Sequence, residues 1–160
     1  MFLEYFTTRL VESSTGELYH ISVNNLDTLT VFPHIPNNSM VQHGYEDGIT
    51  PRVSFSPTVG QCLRGLAQDI KGMEFFVHVP SKKPSVVKPT QRQVPDVSIT
   101  GEVWVTEPVV MRCIGKIRVI RARMEASSFK YGDTTAQSYA WNYQWVEAPN
   151  TKVPPTSKSR

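Results

Sequence analysis

The chain has little cysteine, no long apolar run and almost no charge imbalance in its body. Each shortage excludes something. Its two cysteines, Cys62 and Cys113, stand too far apart for a metal motif. They read as buried free thiols of a reducing compartment, so a cytoplasmic location is expected. No stretch is apolar for long enough to form a transmembrane helix. The opening residues Met1–Phe6 lack a basic segment followed by an apolar one, so they do not read as a signal peptide. The four histidines, His20, His34, His43 and His78, are scattered, and no metal site is predicted. Also missing are a G-x-S-x-G elbow, a phosphate-binding loop, a G-x-G-x-x-G turn and an H-E-x-x-H pair.

The net charge of +3 is unevenly placed. Lys152, Lys158 and Arg160 lie in an acid-free tail, and the remaining 14 basic residues match the 14 acidic ones. A basic face able to drive strong phosphate-backbone binding is therefore not visible in the sequence.

What is present is enough for a core. Hydrophobic residues make up 39% of the 160, with three Trp, six Tyr and seven Phe. That length fits one domain. Residues 1–147 read as a single strand-rich α+β domain, and 148–160 as a disordered basic tail. Strands are expected at Phe2–Val11, Glu17–Val23, Thr28–Phe32, Arg52–Phe55, Met73–Val79, Ile99–Thr106, Val109–Ala122 and Gln137–Val146. Tyr131-Gly132-Asp133 reads as a turn. Pro33–Pro51 is a long polar loop of the kind that carries function, and Pro80–Val97 is a second loop. One principal helix is predicted over Ser56–Ile70, with Ser56 as N-cap, Pro57 in the first turn and Gly72 as terminator. Val59, Cys62, Leu63, Leu66 and Ile70 form its apolar stripe.

Two surface patterns have ordinary readings. Tyr139, Trp141, Tyr143 and Trp145 alternate, which places all four on one strand face as core packing. Lys116, Arg118, Arg121 and Arg123 read as a solvated strand face.

One ordered constellation remains: His20 in Leu18-Tyr19-His20-Ile21-Ser22, Ser54 in Val53-Ser54-Phe55-Ser56 leading into the helix, and Glu102 in a late strand. Taken singly, His20 is an ordinary strand histidine and Glu102 an ordinary outward charge. The order resembles the ADP-ribosyltransferase-like fold, in its diphtheria-toxin/PARP-like branch and the related RNA 2′-phosphotransferases. The resemblance spans roughly residues 17–120. It implies a mainly antiparallel split sheet with one principal amphipathic helix. It also implies NAD as substrate, with the nicotinamide–ribose bond as the reacting bond.

On that resemblance Glu102 stabilises the oxocarbenium-like charge that builds on the ribose. His20 holds a ribose hydroxyl, the backbone around Ser22 pairs with the carboxamide, and Arg52 faces either the pyrophosphate or the surface. The branch usually places a tyrosine where Ser54 stands, so Tyr45 of the long loop is the substitute ring. The acceptor is a protein, a nucleic acid, a small molecule or water, and no membrane partner is expected. A non-catalytic module holding a nucleotide or a protein on the same fold is the alternative. An RNA-processing enzyme would need basic residues around its cleft, which the near-neutral body does not supply.

Overall fold

A computed structural model describes residues 17–66 and 69–147. The expected first strand and the tail lie outside these residues. The chain is strand-rich α+β, with seven strands and three short helices among the described residues: β1 His20–Ser22, β2 Thr30–Val31, α1 Ser39–Gln42, β3 Val53–Phe55, α2 Val59–Arg64, β4 Glu74–Pro80, α3 Val97–Thr100, β5 Val103–Val105, β6 Val109–Tyr131 and β7 Thr134–Glu147. All strand pairings are antiparallel. Five strands form one sheet in the order β1-β4-β6-β2, with β7 also on β6, and β3 and β5 form a second sheet.

Alternation in the strands builds two cores. In β4, Phe75, Val77 and Val79 turn inward and meet Ile114, Ile117 and Val119 of β6, with Val59 and Leu63 of α2 packed on them. In the small sheet, Val53 and Phe55 meet Val103 and Val105, and Val109 and Met111 complete that cluster. Full burial of one such side chain, Leu63 for example, is worth about 1.5–3 kcal/mol.

The principal helix is shorter than its stripe implied. Ser56 does not cap it. Its backbone instead pairs with Tyr19, N–H to O at 2.9 Å and O to N–H at 2.8 Å, which prolongs the extended chain. Thr58 is the N-cap: its hydroxyl oxygen accepts from the Gln61 N–H at 3.1 Å and donates to Gln61 Oε1 at 3.0 Å. The first of these bonds satisfies a backbone N–H that the helix start would otherwise leave free. The helix ends at Arg64, with Gly65 as C-cap; glycine at 60 and 65 weakens the helical preference on both sides. Ile70 is fully buried but lies beyond the helix. Gly72 does not terminate it; at φ 83° it makes the turn into β4.

Three further expectations are corrected. Ile99 and Thr100 belong to the helical turn α3, and Gly101, at φ 64°, reverses the chain into β5. The strand expected to end at Ala122 runs to Tyr131, forming a long hairpin with β7 whose turn is Gly132-Asp133. In that hairpin the register slips between Ala122 and Ala126. The slip changes the phase of β7: Ser138 and Ala140 are buried, then Trp141, Tyr143 and Trp145 pack on the core, while Tyr139 is exposed. Three of the four aromatics therefore share the inner face, and Tyr139 does not.

Candidate functional site

Period two sorts the small sheet into an apolar and a polar face. Val53, Phe55, Val103 and Val105 take the apolar side. Arg52 and Ser54 on one strand, and Glu102 and Trp104 at the other, take the opposite side, with Ser54 directly across from Trp104. Gly101 positions this arrangement. A Cβ there would come within 2.8 Å of Gln61 Nε2 and 2.9 Å of Pro57 Cδ, and the left-handed φ favours glycine as well.

Glu102 is the centre of the polar face. Its Oε2 accepts from the Ser54 hydroxyl at 2.8 Å and from the Trp104 indole N–H at 2.7 Å. Oε1 has no hydrogen-bond partner among the described residues. One oxygen is thus fixed and the other is available.

His20 arrives from β1 of the other sheet. Its Nδ1 lies 2.8 Å from the Ser54 carbonyl oxygen, which can only accept, so Nδ1 carries the proton and Nε2 the lone pair. Burial lowers the His20 pKa, the Ser54 hydrogen bond opposes it, and the charge of His34 lowers it further. The ring is held neutral, 5.6 Å from the Phe55 ring and 6.2 Å from the His78 ring between centroids. Ser54 of β3 thus links the other two: its backbone carbonyl accepts from His20 of β1, and its hydroxyl donates to Glu102, which stands just before β5 rather than within the late strand expected for it.

Ser22 is two pairs further along β1, and its hydroxyl oxygen accepts from the Asn24 N–H at 3.0 Å. Tyr45 packs edge-on against Tyr131 with ring centroids 4.9 Å apart. Arg52 is not a surface charge: it is 1% exposed. Its guanidinium lies 4.2 Å from the Trp104 ring centroid, donates to the carbonyls of Asp47 at 2.8 Å and Thr50 at 3.0 Å, and pairs with Glu46 at 3.7 Å and Asp47 at 3.6 Å. It serves as the buried counter-charge of the long loop.

Two neighbouring acids were not singled out in the sequence. Burial, reinforced by the charge of Glu102, pushes Glu46 up to about 7, with Arg52 opposing and Asp96 and Asp47 adding. Burial and the same Glu102 charge push Asp96 up to about 6. Crowded carboxylates in a partly dry site favour the neutral acid. No group of metal-ligating side chains suited to an ion occurs among the described residues.

A pocket of about 710 Å³ lies elsewhere, beneath the β6–β7 hairpin. Asp96 lines it, so it adjoins the carboxylates, but His20, Ser54 and Glu102 do not. No helix among the described residues is long and apolar enough to cross a membrane. Comparison of the chain with protein-family models, with curated proteins and with solved structures finds no match.

Proposed function

We propose that the chain is an NAD-utilising enzyme of the ADP-ribosyltransferase or NAD glycohydrolase type, acting on the bond between nicotinamide and ribose. The observation that supports this reading is that His20 and Glu102 each hydrogen-bond Ser54 at 2.8 Å, His20 at its backbone carbonyl and Glu102 at its hydroxyl. Cleavage of that bond leaves positive charge on the ribose. The unoccupied Glu102 Oε1 is the group that stabilises it and orients the attacking hydroxyl or water. Ser54 and Trp104 hold the carboxylate against rotation, which lowers the reorganisation it needs. Neutral His20 offers Nε2 as acceptor for a ribose hydroxyl. The antiparallel division into a five-stranded and a two-stranded sheet also supports the reading.

The chain is to be incubated with labelled NAD, alone and with candidate protein, nucleic-acid and small-molecule acceptors. The reading expects nicotinamide release or label transfer. If the chain neither binds nor turns over NAD, the reading fails.

One observation favours a second reading, a binding module without chemistry. Ser54 has no ring to stack on nicotinamide, and Tyr45 is engaged with Tyr131. A rise in melting temperature with nucleotide, without turnover, would select it.

A further inference from the structure

The outer half of β6 leaves the main sheet. β4 pairs with β6 only as far as Arg118, and beyond that β6 has only β7 as partner. This ribbon passes over the end of α2. Arg64 donates to the Ser127 hydroxyl at 2.8 Å, and the Ser138 hydroxyl donates to the Arg64 carbonyl at 3.2 Å. At the tip, Tyr131 meets Tyr45 of the long loop. The ribbon therefore roofs the 710 Å³ pocket, a volume within the range of small-ligand sites, roughly 300–1,000 Å³.

The lining has a particular chemistry. Phe129, Tyr131, Tyr139 and Trp141 supply ring surface. Lys71 and Arg121 supply charge, and neither has an ion pair among the described residues. The earlier cations of β6 differ from Arg121. Lys116 pairs with Glu74 at 3.5 Å and with Glu147 at 3.7 Å, and Arg118 pairs with Glu74 at 2.6 Å. Lys116 and Arg118 of β6 are thus neutralised, whereas Arg121, which reaches the pocket, has no ion pair among the described residues. Two acids also line the pocket. Asp69 is turned to its own loop, accepting from the Lys71 N–H at 3.0 Å, and Asp96, raised to about 6 by burial and the Glu102 charge, loses its charge only below neutral pH.

Rings beside unmatched cations suit a flat aromatic group that carries a phosphate. We propose that this pocket binds a nucleoside monophosphate, with the base among Tyr131, Tyr139 and Trp141 and the phosphate at Arg121 and Lys71. The inference does not rest on the transferase reading, because none of His20, Ser54 and Glu102 lines the pocket.

Calorimetric titration of the full chain tests it, with each of the four common ribonucleoside monophosphates, with adenosine and with inorganic phosphate. At least one monophosphate should bind at millimolar concentration or below. Adenosine and phosphate should each bind about tenfold or more weaker than adenosine monophosphate, since each makes half of the contacts. Arg121→Gln should weaken the monophosphate about tenfold and leave adenosine unchanged, whereas Tyr139→Ala should weaken both. Lys88→Gln, on an exposed loop away from the pocket, should change neither. Absence of binding by all four monophosphates, or binding indifferent to both pocket substitutions, overturns the proposal. Absence of NAD turnover by the wild type, with this binding intact, would count against the transferase reading alone.

Discussion

Arg52→Met removes one charge and keeps most of the side-chain volume. The wild-type guanidinium is fully buried, donates to two carbonyls and faces Glu46 and Asp47 at 3.7 and 3.6 Å. Methionine can fill the space against Trp104 but leaves both carbonyls and both carboxylates without their partner. Breaking a buried pair from one side costs about 3–5 kcal/mol. A domain of this kind has a total stability of about 5–15 kcal/mol, so the variant should fold but melt early.

Part of the loss should depend on pH. The Arg52 charge holds Glu46 down against burial and the surrounding acids. Without it, Glu46 should rise further above its wild-type value of about 7. A carboxyl raised on folding favours the protonated folded state, so it costs increasing stability as pH climbs from its ordinary value to its folded one. The deficit of the variant should therefore shrink as pH falls from about 7.5 to about 5. Urea unfolding at both pH values, with unchanged m, measures it. A loss under about 1 kcal/mol at the higher pH, or a deficit that stays constant or widens on acidification, would refute the reasoning.

Gly101→Ala should cost about 1–3 kcal/mol, because the new Cβ meets Gln61 and Pro57 and the left-handed φ is lost; chemical denaturation reads the loss, and neutrality would show that the turn into β5 is not constrained. His78 is fully buried and its Nε2 accepts from the Leu26 N–H at 2.9 Å, so burial lowers its pKa to about 4. By proton NMR its ring should not titrate between about pH 8 and 5, and the stability it contributes should fall away only as pH drops below the ordinary histidine value towards 4; a midpoint near 6.5 would contradict this. The Cys62 thiol, pushed up to about 12 by burial, donates to the Tyr19 carbonyl at 3.2 Å. Mass spectrometry should find it unalkylated after brief iodoacetamide treatment of the native chain at about pH 8, and modified only on unfolding.

Local chemistry made parts of this arrangement readable. The strand before the helix stands where its β-branched and aromatic alternation placed it, at Val53–Phe55. The polar face was also present in the pattern, since Arg52 and Ser54, and Glu102 and Trp104, are each two apart. The helix was misjudged because its apolar spacing continues through Gly65, while the N-cap Thr58 with its bonds to Gln61, equally local, gives its true start. The burial of Arg52 could not be read from its neighbours, because the carbonyls that satisfy it are presented by a folded loop. Tyr139 left the aromatic face because of a register slip on the partner strand, a feature outside its own segment. The pocket has the same origin: it exists because a hairpin longer than expected crosses over α2.

Nicotinamide release from NAD by the wild type and by Glu102→Gln tests the central claim most directly. Glutamine keeps the side-chain shape and can still accept from Ser54 and Trp104, so the fold should be retained. The account predicts release by the wild type and a fall in kcat of about a hundredfold or more in the variant, with KM little changed. Equal rates in the two proteins, or no release by either at saturating NAD, would contradict it.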